Sequence, residues 1–316
     1  MKFSVRLNND LPVDAYVRLA QAAEAAGFDQ FWVSDDLFWR SAWVILSAVA
    51  GATERIQIGT CIVNPYTMHP AEMAMAAATL DELSQGRFVL GLSSGADDFL
   101  RWVGIRAERP VTMVRETVAA LRAVWRGEHV DGWSEEAHLR FPVRHIPIYI
   151  GAMSPRMLRL IGEVADGGLP LLFPPEHFAE VMQHIGPSDA DVAACIWCSI
   201  SDDRAAAERV LRDKIAYYGH ALSPLILSRL GVERAEFEPI QAALHAGDAD
   251  RAAALVTPAM LHIGVVGTAA DLLPRLEGLV AMGAKHLSFG PPLGPDPLAA
   301  ITALGQEVLP RFRTEC

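Results

Sequence analysis

Acids, amides and small donor-rich loops recur at regular places along this chain. Asp35 and Asp36 are adjacent carboxylates just after an apolar stretch, where one of them could move a proton or hydrogen-bond a ring edge. Arg6 and Asn8 follow the first apolar alternation. An arginine there would either contact an anionic substrate or pair with one of the two acids. Asn64 stands before Pro65 and offers an amide where a strand must stop. Two loops are built of small residues, Ser93-Ser94-Gly95-Ala96 and Gly151-Ala152-Met153-Ser154-Pro155-Arg156. In the second, Ser154 suits a helix cap and Pro155 the first helical position, leaving free amides for an anion and Arg156 for a charge-assisted contact. Two such loops could grip one phosphate and the polar chain beside it. Neither has the glycine spacing of a dinucleotide fingerprint or a Walker loop. Trp39 and Trp102 are the tryptophans best suited to line a pocket.

Each of these residue types also serves ordinary turns. What informs is their shared position. Residues 2–7, 28–34, 55–63, 87–92, 147–150, 167–173, 192–199 and 285–289 read as strands, separated by helical stretches. The polar and small residues gather where these strands end. Strict alternation of strand and helix implies parallel strands with right-handed crossovers, and eight repeats close a barrel whose chemistry sits on its C-terminal face. The expected fold is therefore α/β, a single (β/α)8 TIM-barrel domain over residues 1–316. Two inserted segments interrupt it, at about 127–146 and 203–262. The first is expected as a hairpin or loop over the barrel mouth. The second is expected as a helical excursion broken near Ser223-Pro224.

The totals narrow the function classes. A formal net charge of -11 argues against nucleic acid or an anionic membrane as the main partner. No apolar run is long enough for a membrane span, and the N-terminus enters a strand without the apolar core of a signal peptide, so a cytoplasmic protein with small-molecule partners is expected. Cys195 and Cys198 form a C-x-x-C inside a predicted strand, where residues three apart face opposite ways. That excludes a redox pair, and no further paired ligands suit zinc. The ten histidines offer no pair at metal-ligand spacing, so no metal site is expected. Ala-rich stretches such as 73–78 suit a helix-to-helix homodimer face.

With these residues in view, the chain resembles the bacterial luciferase-like superfamily of barrel oxidoreductases. Within it, the chain is most similar to deazaflavin-dependent methylenetetrahydromethanopterin reductases. The resemblance covers nearly the whole chain. It rests on Ala25-Ala26-Gly27-Phe28, Ser34-Asp35, Ile58-Gly59-Thr60-Cys61-Ile62-Val63-Asn64-Pro65-Tyr66, and the run from Ala78 to Arg87. It continues in Pro147-Ile148-Tyr149-Ile150-Gly151-Ala152, Val266-Gly267-Thr268 and Gly290-Pro291-Pro292-Leu293-Gly294-Pro295-Asp296.

The resemblance implies coenzyme F420 in the barrel mouth, with FMN as the alternative, and a homodimer. It implies a bulge at Thr60, Cys61 and Ile62 behind the ring, with a cis Cys61–Ile62 bond. It places Asn64 at the ring's polar edge, and Ser93 to Ala96 with Gly151 to Ser154 around the phosphate and tail. Three departures stand out. Arg6 replaces a glutamate usual in the reductases, Asp36 a histidine common in relatives, and Cys61 a common glycine. The expected activity is hydride transfer between the deazaflavin and a small organic substrate. The alternatives are an FMN-dependent monooxygenase and a catalytically inactive relative that still binds a ligand.

Overall fold

The computed structural model describes residues 1–171 and 173–313. Its first half alternates strand and helix: β1 (Lys2–Leu7), α1 (Val13–Ala26), β2 (Gln30–Val33), α2 (Ala42–Ala50), β3 (Gln57–Thr60), α3 (Pro70–Leu83), β4 (Phe88–Leu92), α4 (Asp97–Trp102) and α5 (Pro110–Arg126). The chain continues through β5 (Ile148–Ala152), α6 (Pro155–Val164), β6 (Gly167–Pro170), α7 (Phe178–Ile185), β7 (Asp191–Ile200) and α8 (Arg204–Tyr218). Four short helices follow: α9 (Pro224–Leu230), α10 (Glu238–His245), α11 (Ala249–Leu255) and α12 (Pro258–Leu261). The chain closes with β8 (Gly264–Gly267), α13 (Ala269–Ala281), β9 (His286–Phe289), α14 (Pro297–Ala303) and α15 (Leu309–Phe312).

β1 to β7 and β9 are parallel neighbours and close on themselves, an eight-stranded TIM barrel. Period-two alternation assigns each side chain. Phe3, Val5 and Leu7 of β1, and Leu287 and Phe289 of β9, pack outward against the helices in one continuous apolar core. The inward positions form two zones. One is apolar, with Trp32, Cys61, Val89, Leu169, Ala193 and Cys195 packed together. The other is a hydrogen-bonded column. Asp191 accepts from Lys2 (2.8 Å) and Tyr149 (2.6 Å) and lies 3.2 Å from His286 Nδ1. His286 Nε2 is 2.8 Å from the Ser4 hydroxyl, which is 2.7 Å from Ser288 Oγ. Ser288 Oγ in turn accepts from Arg6 Nε (3.0 Å). A buried polar group needs partners, and this chain of contacts supplies them across the lumen.

Several expectations change. β8 was not foreseen. It pairs with the second half of β7, from Trp197 to Ile200, whereas β9 pairs with Ala193 to Ile196. The ten residues of β7 are thus shared among three strands. β3 stops at Thr60 instead of running to Val63. Segment 127–146 contains no strand, and none of its residues lines the cavity at the mouth. Trp133 there stacks on His69 at the start of α3, with ring centroids 5.4 Å apart. In the second insertion, α8 packs on β7 and β8 as a barrel helix, and the excursion proper begins beyond Tyr218. Ser223 caps α9 at the expected break. Cys195 and Cys198 lie in separate apolar clusters on opposite faces of β7, and Cys316 lies outside the described residues. No helix among the described residues is long and apolar enough to cross a membrane.

Candidate active site

At the C-terminal ends of the strands lies a cavity of about 320 Å³, of the size that small-molecule sites have. One wall carries the two small-residue loops. Ser93, Ser94, Gly95 and Ala96 leave β4, and Gly151, Ala152, Met153 and Ser154 end β5 and cap α6. The loops are tied together by the Ser93 hydroxyl donating to the Gly151 carbonyl at 2.7 Å. A Cβ on Gly151 would lie 2.9 Å from the Ile62 side chain, so only glycine keeps this wall flat. Pro155 occupies the first turn of α6 and Ser154 accepts from Met157 N, which leaves an amide-rich helix start at the rim. α4 is the weaker anion anchor, because its first turn holds Asp97 and Asp98.

Cys61 and Ile62 form the rear of the cavity, and the bond between them is cis, as the resemblance implied. Burial pushes the Cys61 thiol up to about 12, so it remains protonated at neutral pH.

The opposite wall is polar; the sequence pointed to Arg6, Asn8 and Asp36 in it but not to Trp197, Lys214 and Tyr218. Arg6 is 2% exposed and forms part of the cavity floor. Its Nη2 donates to the Ile196 carbonyl at 3.0 Å. Lys214, buried on α8, donates to Asn8 Oδ1 at 2.7 Å and sits 3.9 Å from the Tyr218 ring centroid and 5.6 Å from that of Trp197. The Tyr218 hydroxyl donates to Asp36 Oδ2. Burial raises the Asp36 carboxyl above its ordinary range, opposed by the Lys214 charge and the Tyr218 hydrogen bond. Burial likewise lowers the Lys214 ammonium to about 8, with Asp36 opposing. Lys214, at about 8, can give or take a proton near physiological pH, and Asp36 beside it is shifted toward its neutral form.

The remaining expected residues fall outside this cavity. Asp35 accepts from Ala42 N at 2.9 Å and caps the start of α2. The Thr60 hydroxyl bonds the Gly91 carbonyl (2.9 Å) and accepts from Gly91 N (3.0 Å), stitching β3 to β4. Asn64 Oδ1 accepts from Tyr66 N and Thr67 N, both at 3.1 Å, which makes it a turn organiser behind Gly95. Arg156 points to solvent beyond the helix start and is not among the lining residues. Trp39 is 52% exposed and lines an adjoining pocket of about 290 Å³ that shares Asn8, Asp36, Lys214 and Tyr218 with the main cavity. Trp102 lines neither and stacks on Phe99 at 4.6 Å.

A closed parallel barrel with its cavity at the strand exits, walled by small-residue loops and a buried acid–cation pair, has the architecture of a barrel enzyme. The chain belongs to the luciferase-like monooxygenase family, whose model matches residues 1–286. It is 32% identical to the 5,10-methylenetetrahydromethanopterin reductase of Methanolobus tindarius, over 98% of this chain and 100% of that protein. It is 30% identical to the F420-dependent glucose-6-phosphate dehydrogenase of Beutenbergia cavernae, over 92% and 91%. The solved structure of the coenzyme F420-dependent tetrahydromethanopterin reductase of Methanopyrus kandleri superposes with a TM-score of 0.88 at 28% identity, covering 99% of both chains.

Proposed function

We propose that this protein is a coenzyme F420-dependent oxidoreductase acting on a small organic substrate in the barrel mouth. The observation that carries the reading is full-length similarity to F420-dependent enzymes together with a cavity at the expected place. The residues present fit a planar ring with an anionic tail. Gly151 keeps a flat wall that a Cβ would fill, Ile62, Met153 and Leu171 supply apolar surface, and the α6 start supplies amides. When bound, the deazaflavin would supply hydride chemistry.

The chain's own residues do the rest. Cys61 and Ile62 would back the ring. Ser93, Ser94 and Gly95, which line the same wall, would lie beside the tail. Asp36 and Lys214 hold or move the proton that accompanies hydride transfer, in place of a glutamate or histidine. Tyr218 and Trp197 pack over Lys214 and keep water from it. A homodimer is part of this reading. Val44 on α2 and Met75 and Leu83 on the adjacent α3 are exposed apolar side chains suited to a second copy, and light scattering on the purified protein tests it.

The test of activity is a substrate screen that follows loss of the oxidised coenzyme's visible absorbance, with oxygen consumption measured in parallel using reduced FMN. Turnover with F420 and no oxygen uptake supports the reading. Oxygen uptake with FMN and none with F420 moves the protein to the monooxygenase alternative.

A further inference from the structure

The cavity floor holds a guanidinium, Arg6, with no carboxylate partner among the described residues, whereas Lys214 lies in the field of Asp36 and Asp10. Arg6 and Lys214 line it together with one carboxylate, Asp36. Neither cation forms a salt bridge with a described carboxylate, in a protein whose net charge is -11. Buried charges are normally paired, because an isolated ion pays a large desolvation cost. Guanidinium is a permanent cation in proteins.

The way Arg6 is held sharpens the point. Nε donates to Ser288 Oγ at 3.0 Å, and Nη2 donates to Ile196 O at 3.0 Å and to Ser288 O at 3.4 Å. No described residue accepts from Nη1. Along the lumen column, the first carboxylate beyond Ser288 is Asp191, reached only through Ser4 and His286 and already bonded to Lys2 and Tyr149. The Nε and Nη2 donors are therefore taken by neutral groups, while Nη1 has no partner among the described residues. On the same lining, Lys214 spends one N–H on Asn8 and rests on the Tyr218 and Trp197 rings. A free guanidinium nitrogen makes a charge-assisted hydrogen bond to a carboxylate oxygen.

We infer that the cavity floor takes the carboxylate of a small organic acid, bound at Arg6 Nη1 with Lys214 as the second cation, and that the substrate carries this group. This rests on the reading of the mouth cavity as the reaction site. An ionised oxygen on the coenzyme ring has the same chemistry and is the other source of an anion here.

The experiment measures binding of two acids, acetate and benzoate, and of their neutral amides, acetamide and benzamide, by calorimetry. It uses the wild type, Arg6→Gln and Lys214→Gln, with F420 affinity determined on each. The expected result is acid binding at least about tenfold tighter than amide in the wild type, with the preference lost in Arg6→Gln and reduced in Lys214→Gln. F420 affinity then changes by less than about threefold in Arg6→Gln, since the tail is gripped at the other wall. Equal binding of acid and amide by the wild type overturns the inference. So does an acid preference that survives both substitutions. If Arg6→Gln weakens F420 binding about tenfold while the acid preference persists, the anion belongs to the coenzyme and the substrate assignment falls. If the wild type prefers acids but binds no F420, the inference stands and the proposed cofactor fails. Circular dichroism checks folding. Should Arg6→Gln not fold, the wild-type comparison and Lys214→Gln on the outer helix decide the matter.

Discussion

The Tyr218 hydroxyl donates a hydrogen bond to Asp36 Oδ2 and so ties the end of α8 to the exit of β2 across the barrel mouth. The contact sets both the position and the ionisation of the acid. Tyr218→Phe keeps the ring over Lys214 and removes the donor. Stability at neutral pH should fall by about 1–3 kcal/mol, because a partly buried carboxylate loses a charged hydrogen bond. The Asp36 pKa, already raised by burial, should rise further, since Tyr218 favours its ionised form. The penalty therefore shrinks as Asp36 is protonated at acid pH. Chemical denaturation of the two proteins across pH checks this, and a pH-independent difference would contradict it.

Lys214 gives a second pH signature. Burial lowers it from 10.5 to about 8, so between those values the unfolded chain binds more protons than the folded one. Stability contributed through this site must rise with pH across that window. Wild type should gain on Lys214→Met as pH goes from about 8 to 10, as followed by denaturant midpoints. A flat difference would mean that the lysine is solvated.

Asp35 and Asp36 adjoin in sequence but have separate roles. Asp35→Ala should cost about 1 kcal/mol by uncapping α2, and should leave cofactor affinity within about twofold of wild type. A large affinity loss with unchanged melting temperature would return Asp35 to the site.

Gly151→Ala tests the wall. The new methyl would push Ile62 into the cavity, so cofactor affinity should drop about tenfold or more while the melting temperature moves little. Unchanged affinity would show that the ring lies elsewhere.

The barrel was legible because its strands alternate or run apolar and several helices begin with a proline in the first turn, as at Pro70, Pro110 and Pro155. The small-residue wall was legible too, since Ser93 to Ala96 and Gly151 to Ser154 sit at strand exits. Of the polar wall, Arg6, Asn8 and Asp36 were legible, but Lys214 and Tyr218 were not, because their contacts form at long range. Lys214 lies 206 residues from Asn8 and Tyr218 lies 182 from Asp36. One signal was available: Ala207, Leu211, Lys214 and Tyr218 share one helical face, and the buried neighbours set its direction. Thr60 and Asn64 were read toward a cofactor because of their place in the chain, yet Thr60 spends its side chain on the neighbouring strand at Gly91 and Asn64 on its own turn. β8, four residues bounded by glycines, carries too little pattern to read as a strand.

The most direct test of the central claim is equilibrium titration of the purified apoprotein with coenzyme F420 and with FMN in parallel. The account predicts tight F420 binding and weak FMN binding. Tighter binding of FMN, or binding of neither, would contradict it.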